Sequence, residues 1–507
     1  MRTRRRLLHI AAAGSTLLLT ACGTRLSNSE FVQAQQQAGV APGQVVPSAS
    51  AGSGGTATGP AGSVNSSGGS GTGGSAGGGG PSSGGGAYGG EGSSGTTNGG
   101  GAANTASDVG VTPTTITIGT IASRTNPFDP RAFVGPEYGL QAFVNWTNAH
   151  GGVNGRKLEL KTCDDQGSGD QNVSCAHQLV DGDKAFALVS NAILDYAGAS
   201  FVNSKGVPDI GSQPIDNAYN KYPHLWDIYG EDYPRDGKQI GFNGKLYGGT
   251  EVYRYFSTTF PKVAKVAGVV EYNQDASQRF GDSIAAGLAH EGYKVVKKVV
   301  NFALPDYDSV AIDFKNNNVQ YVYDTIDRSG NVRLCKALDD NQVNFTAKVL
   351  TTQSWEQSIE SDYGSSPRCR NKLWATGNTL NYEDTKYQQV AEFRQQMAAD
   401  GHGSANDLSD WALEGWAGGL WFADAAASCG ADLTRKCVEA FMNTGKPYSG
   451  HGLLTPRQFR ELKSPPSSDY NCINVARWQD SAHGWVTQVP DMDKNCFHVP
   501  NLSYNAT

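Results

Sequence analysis

Residues 138–165 read YGLQAFVNWTNAHGGVNGRKLELKTCDD. Leu140, Phe143, Val144 and Trp146 recur at near-helical spacing, and Gly151 and Gly152 stop the pattern, so the first half predicts an amphipathic helix. The second half, KLELKTCDD, alternates apolar and polar residues as a strand does. Upstream, TITIGTI at 115–121 alternates in the same way. Strand, helix and strand in that order make a βαβ unit, whose two strands lie parallel under a crossover helix.

The same grammar runs outward in both directions. NVSCAHQLVDGD predicts a helix, AFALVS a strand, YAGASFVNSKG a helix and VPDIGS a strand. It restarts with VAKVAGVVEY as strand, SQRFGDSIAAGLAHEG as helix, YKVVKKVVNF as strand, SVAIDFKNNN as helix and VQYVYDT as strand. Short strands alternating with helices imply parallel sheets covered on both faces. About 400 residues from Val109 suit about two such lobes better than one core. The fold class expected is α/β, two doubly wound parallel-sheet lobes joined by a multi-strand hinge.

Ahead of the lobes the composition changes twice. Arg2, Arg4, Arg5 and Arg6 precede the apolar run Leu7 to Leu19, which is too short to span a bilayer as a helix, where about 20 residues are needed. The run ends in LTAC, and the layout is that of a signal peptide. LTAC resembles a bacterial lipobox, which implies cleavage before Cys22 and a diacylglyceryl group on its thiol. Two acyl chains make a stable anchor where one does not. TRRRLL also resembles a twin-arginine export signal, so either export route is open. From about Ala41 to Ser107 the chain is nearly all Gly, Ser, Ala, Thr and Pro, too poor in apolar side chains to offset its ordering entropy. A coil of roughly 65 residues reaches about 45 Å. Its GxGxxG-like and GxSxG-like strings are products of composition, with no strand before them or helix after.

The net charge of −7 opposes a nucleic-acid surface, which needs a clustered basic face. Besides Cys22 there are Cys163, Cys175, Cys335, Cys369, Cys429, Cys437, Cys472 and Cys496, an even set that reads as four disulfides in an exported chain. Eight cysteines allow 105 connectivities. Sequential pairing is the expectation, because each adjacent pair closes a short loop. No CxxC pair and no histidine cluster marks a metal site, and no cofactor is expected. The nine histidines are scattered, no HExxH occurs, and a hydrolase would need a constellation that is missing here. DQGSGDQN at 165–172 lacks the twelfth-position acid of a calcium loop.

Taken together, residues 138–192, with the helix ending in GGVNGRKLEL, the acidic pair Asp164 and Asp165 at a strand end and the strand FALVS, resemble the first lobe of the leucine/isoleucine/valine-binding protein family, type I periplasmic binding proteins of ABC transporters. QRFGDSIAAGL, DWALEGWAGGLWFADAAASCG and NVARWQDSAHGWV are similar to that family's second-lobe unit, its return helix and its terminal strand pair. The resemblance implies a Cys163–Cys175 disulfide. It also implies a lipid-anchored, monomeric, non-enzymatic receptor on the extracytoplasmic face of the cell membrane. Such a receptor would capture a small polar molecule, such as an amino acid, an amide or a related compound, between the lobes and pass it to the permease of an ABC importer. A sensor of the same fold acting on a separate membrane partner is the alternative.

The segments expected are 1–21 signal peptide, 22–107 anchored linker, 108–240 and 381–455 lobe 1, 241–380 lobe 2, and 456–507 the return and C-terminal strands. Hinge candidates are 225–245, 377–387 and 455–466. Open α/β sheets bind ligands at the carboxyl ends of their strands. The candidates there are Ser123, Arg124 and Asn126, then Ser190, Asn191 and Asp195, and Ser212 and Gln213 in lobe 1. In lobe 2 they are Tyr272, Asn273, Asp324, Asp327, Gln353 and Trp355. The family presents a Ser/Thr cluster to an amino-acid carboxylate where this chain has Ile193, Leu194 and Asp195, and an acid where it has Gln353. The amino-acid pocket is therefore not reproduced, and Asp195, Asp324 or Asp327 remain as partners for an ammonium group.

Overall fold

The computed structural model describes residues 103–506 except 127, 128, 130 and 132. The leader, Cys22 and the Gly/Ser-rich linker up to residue 102 lie outside the described residues. In lobe 1 the strands are β1 (Thr115–Ala122), β2 (Lys157–Asp164), β3 (Ala187–Val189), β4 (Asp209–Ser212) and β5 (Leu225–Asp227), with α1 (Gly135–Ala149), α2 (Gly169–His177) and α3 (Ala199–Ser204) between them. They form one parallel sheet in the order β2-β1-β3-β4-β5.

Lobe 2 begins with β6 (Lys245–Gly248) and α4 (Glu251–Thr259). It continues through β7 (Val266–Tyr272), α5 (Asp275–His290), β8 (Lys294–Val300), α6 (Tyr307–Asn316), β9 (Tyr321–Asp324), α7 (Arg328–Asp340), β10 (Ala347–Leu350) and β11 (Leu373–Gly377). Then α8 (Gln388–Ala399), α9 (Asp410–Ser428) and α10 (Arg435–Met442) precede the closing strands β12 (Ser468–Cys472), β13 (Asn474–Gln479), β14 (Gly484–Thr487), β15 (Cys496–Pro500) and β16 (Leu502–Asn505). The second sheet has the order β14-β13-β11-β10-β9-β7-β8, parallel from β8 to β11 and antiparallel beyond. β16 pairs with β6, and β12 with β15.

Each sheet is apolar on both faces, as a parallel sheet between two helix layers must be. Ala187 and Val189 share a core with Leu140 and Phe143 of α1, while Leu188, one residue on, packs with Cys175, Leu179 and Val202 on the other side. In lobe 2, Val322 packs with Phe314 and Leu334, and Tyr321 and Tyr323 pack with Phe256 and Trp374 on the opposite face. Helix α9 returns the chain to lobe 1, where it lies against α1 and β4. Gly139 and Gly415 make that approach possible: a Cβ at Gly139 would overlap the Ala412 carbonyl, and one at Gly415 the Pro136 carbonyl.

The chain passes between the lobes three times, and the three passages are hydrogen-bonded side by side. Asn378 donates to the Ile228 carbonyl at 3.3 Å, the Thr455 amide donates to the Asn378 carbonyl at 2.7 Å, and the Arg460 amide reaches the Glu231 carbonyl at 3.0 Å. Residues 225–227, placed in a hinge candidate from sequence, belong to the lobe 1 sheet as β5. The disulfides pair in chain order: Cys163–Cys175, Cys335–Cys369, Cys429–Cys437 and Cys472–Cys496. Among the described residues no helix is long and apolar enough to cross a membrane, and no cluster of three or more His, Cys, Asp or Glu side chains has the makings of a metal site.

Candidate functional site

The carboxyl ends of the two sheets face each other across a cavity of about 490 Å³. Lobe 1 contributes Asp129 and Phe133 from the loop after β1, Leu194 from the loop after β3, and Gln213, Pro214 and Ile215 directly after β4. Trp411, in the first turn of α9, and Tyr229, after β5, close that side. Lobe 2 contributes Tyr272 at the end of β7, Ser277, Arg279 and Phe280 from the start of α5, and Phe302 after β8. Thr325, Ile326 and Asp327 follow β9, and Thr351, Thr352 and Gln353 follow β10. Most of this lining is aromatic or aliphatic.

Of the residues expected at the site, Gln213, Tyr272, Asp327 and Gln353 line the cavity. Asp327 is also the N-cap of α7, accepting from the Gly330 amide at 2.6 Å and the Ser329 hydroxyl at 3.0 Å, and burial raises its pKa. The others are held beneath or beside the cavity by internal bonds. Ser123 Oγ accepts the Leu194 amide, and Asn126 braces its own loop through the Ser123 and Asp129 carbonyls. Ser190 donates to the Gly415 carbonyl. Asn191 and Ser212 both donate to Asp209, which is fully buried and also accepts from Tyr196 and Tyr219. Asp195 lies against Gly169 at the start of α2.

Asp324 is paired with Lys348 at 2.5 Å inside lobe 2, so it is compensated internally and leaves no charge for a ligand. Arg124 pairs with Glu137, Asn273 accepts the Phe302 amide, and Trp355 is a core residue packed at an angle against Tyr382 and edge-on to Trp485.

Phe133, Tyr229, Arg279, Phe302 and Trp411 line the cavity without having stood out in the sequence. One cue was available for Arg279, an arginine close to the positive end of its helix and therefore against the local dipole preference. Thr352 is a junction between the lobes, with its hydroxyl 3.1 Å from Tyr229 OH and accepting from Trp411 Nε1 at 3.1 Å. Behind it, Glu414 accepts from Gln213 Nε2 at 2.8 Å and from Tyr229 OH at 3.3 Å. Burial, and then the neighbouring Asp410, push the Glu414 pKa well up, and its carboxyl supports the floor of the cavity through these two bonds.

Further contacts cross between the lobes. Arg279 donates to the Ile215 carbonyl at 2.6 Å. Arg328 reaches Asp129 at 3.2 Å, and Arg131 reaches Asp362 at 3.5 Å. Two sheets joined by three adjacent chain segments, with the ligand-sized space between them and charged contacts around it, make a device whose closure depends on what fills the space.

The sequence profile of the periplasmic binding protein family matches residues 115–482. Solved structures agree in fold. A fatty acid ABC transporter substrate-binding protein from Thermomonospora curvata superposes with a TM-score of 0.58 at 14% identity, covering 78% of this chain and 97% of its own. The branched-chain amino acid transporter substrate-binding protein of Streptococcus pneumoniae, solved with isoleucine, gives 0.57 at 14% identity, covering 76% and 99%. An ABC transporter solute-binding protein from R. palustris, solved with benzoate, gives 0.55 at 13% identity, covering 77% and 98%. No protein of curated function matches in sequence. With the family profile spanning the lobe 1 sheet, the lobe 2 sheet up to β13 and the crossings between them, this chain belongs to the periplasmic binding protein family.

Proposed function

We propose that the protein is the extracytoplasmic receptor of an ABC importer, anchored to the membrane through acylated Cys22, and that its cavity takes a solute with a sizeable apolar body. The interlobe cavity carries this reading, because both lobes line it and its walls are Phe133, Leu194, Ile215, Phe302, Ile326 and Trp411 rather than a polar cluster. A volume of about 490 Å³ falls within the range of small-molecule sites, roughly 300–1,000 Å³. Apolar walls gain about 25 cal/mol for each Å² of ligand surface they dehydrate, which favours a more apolar solute than an amino acid or simple amide. Proteins of similar fold have been solved with isoleucine and with benzoate, ligands with apolar bodies of this kind.

A thermal-shift screen of the full-length chain tests the receptor reading. At about 100 times Kd a ligand adds roughly 2.7 kcal/mol, enough to raise Tm by several degrees. Trp411→Ala should abolish the shift, and a folded, solute-free chain that answers to no amino acid, aliphatic or aromatic compound would defeat the proposal. For the anchor, Cys22→Ser should abolish incorporation of labelled palmitate and release the protein from the membrane fraction.

A further inference from the structure

Arg279 is 8% exposed, lines an apolar cavity, and makes no ion pair among the described residues. Its guanidinium gives one hydrogen bond, to the Ile215 carbonyl, and lies 4.9 Å from the Phe280 ring centre. Arg156, 1% exposed and also without a carboxylate, shows how such a group is ordinarily satisfied: it donates to the carbonyls of Thr112, Gly430, Thr105 and Ala431. A guanidinium has five N–H donors and stays charged, and a buried charge is costly until an opposite charge meets it.

The acids that share the cavity do not supply that charge. Asp129 is paired with Arg328, and Asp327 caps α7. Glu231 accepts from Asn220, burial, with Asp227 next, raises its pKa, and the cation beside it is Arg235. Asp216 and Asp275, outside the lining, bear on Arg279 electrostatically, but neither comes within ion-pair distance. Arg279 is thus a lining cation that no carboxylate among the described residues meets in an ion pair. It sits one turn inside the N-terminus of α5, whose first-turn amide groups and dipole favour an anion.

We infer that the solute is an apolar monoanion, with a carboxylate-type head bound by Arg279 in the bidentate manner of guanidiniums and a hydrocarbon or aromatic body between Phe302, Ile326 and Trp411. This rests on the cavity being the solute site. An incoming anion completes the electrostatics of the closed cleft, so the head group, and not only the apolar body, drives closure.

Two matched series test it by calorimetry on the full-length chain freed of co-purified solute: octanoate, octanol and octylamine, and 3-phenylpropionate, 3-phenylpropanol and 3-phenylpropylamine. The acid of at least one series should bind tenfold or more tighter than its alcohol, with the amine weakest. Arg279→Gln should lower acid affinity at least tenfold more than alcohol affinity, and Arg279→Lys should restore part of the preference. An alcohol or amine that matches the acid overturns the anionic head while leaving the cavity as the solute site. Equal losses for acid and alcohol in Arg279→Gln overturn it too, because they reduce Arg279 to a clasp on Ile215. If neither series binds to folded protein, the apolar-solute reading falls with it.

Discussion

Strand-end residues were legible as a zone, and their individual roles were not. Ser212 and Gln213 are adjacent, yet the first turns to Asp209 and the second lines the cavity. Sequence places both beside the cleft, but which one faces it depends on the pleat and on a buried acid three residues back. Asp209 itself makes a prediction. Its carboxylate accepts from Ser212, Tyr196, Asn191 and Tyr219, yet burial outweighs these bonds and raises its pKa from 3.8 to about 6. The folded state therefore holds its proton more tightly than the unfolded chain. This group's contribution is fully present below about pH 4, is lost as pH rises toward 6, and amounts to about 3 kcal/mol at 1.36 kcal/mol per pKa unit. Asp209→Asn should flatten that segment of the stability curve, measured as urea-unfolding free energy from pH 4 to 7. A curve of unchanged slope would show that the acid is ionised at little cost.

Elements were far more legible than residues, because a βαβ run announces itself in periodicity. The helix read from Leu140, Phe143, Val144 and Trp146 is α1, and those four side chains are buried. The pairing of α1 with α9 was not available to periodicity, since it joins segments more than 250 residues apart through small residues that carry no pattern of their own. Gly139 and Gly415 are there for close approach: both have their Cβ position occupied by the partner helix's backbone, which cannot swing aside as a side chain tip does. Gly139→Ala should therefore destabilise lobe 1 by about 3 kcal/mol, the upper part of the range for overpacking, despite the better helix propensity of alanine. Gly182→Ala, at a glycine with open space around it, is the control and should change the urea midpoint little.

At the scale of the whole molecule the question is what holds the lobes together before a solute arrives. The charged cluster at the cleft mouth contains Asp129 and Arg131 from lobe 1 and Arg328, Glu356 and Asp362 from lobe 2. Burial raises the Glu356 pKa to about 7, so near neutrality the group is about half protonated, and where it holds its proton two guanidiniums face two carboxylates. Opening the cleft separates Arg328 from Asp129, and water takes up both charges. The pair therefore biases closure by far less than the 3–5 kcal/mol lost when a buried pair is broken in place. Asp129→Asn keeps the side chain's shape and its bond to the Arg131 amide while removing the charge facing Arg328. It should cost the closed state about 1.4 kcal/mol, weaken solute binding about tenfold, and increase the open fraction seen by single-molecule energy transfer between labels on α2 and α6. The solute-free chain is the decisive sample, since there Asp129 has no ligand to touch. An unchanged open fraction in that sample, alongside weaker binding, would move Asp129 from the closure of the lobes to direct contact with the solute.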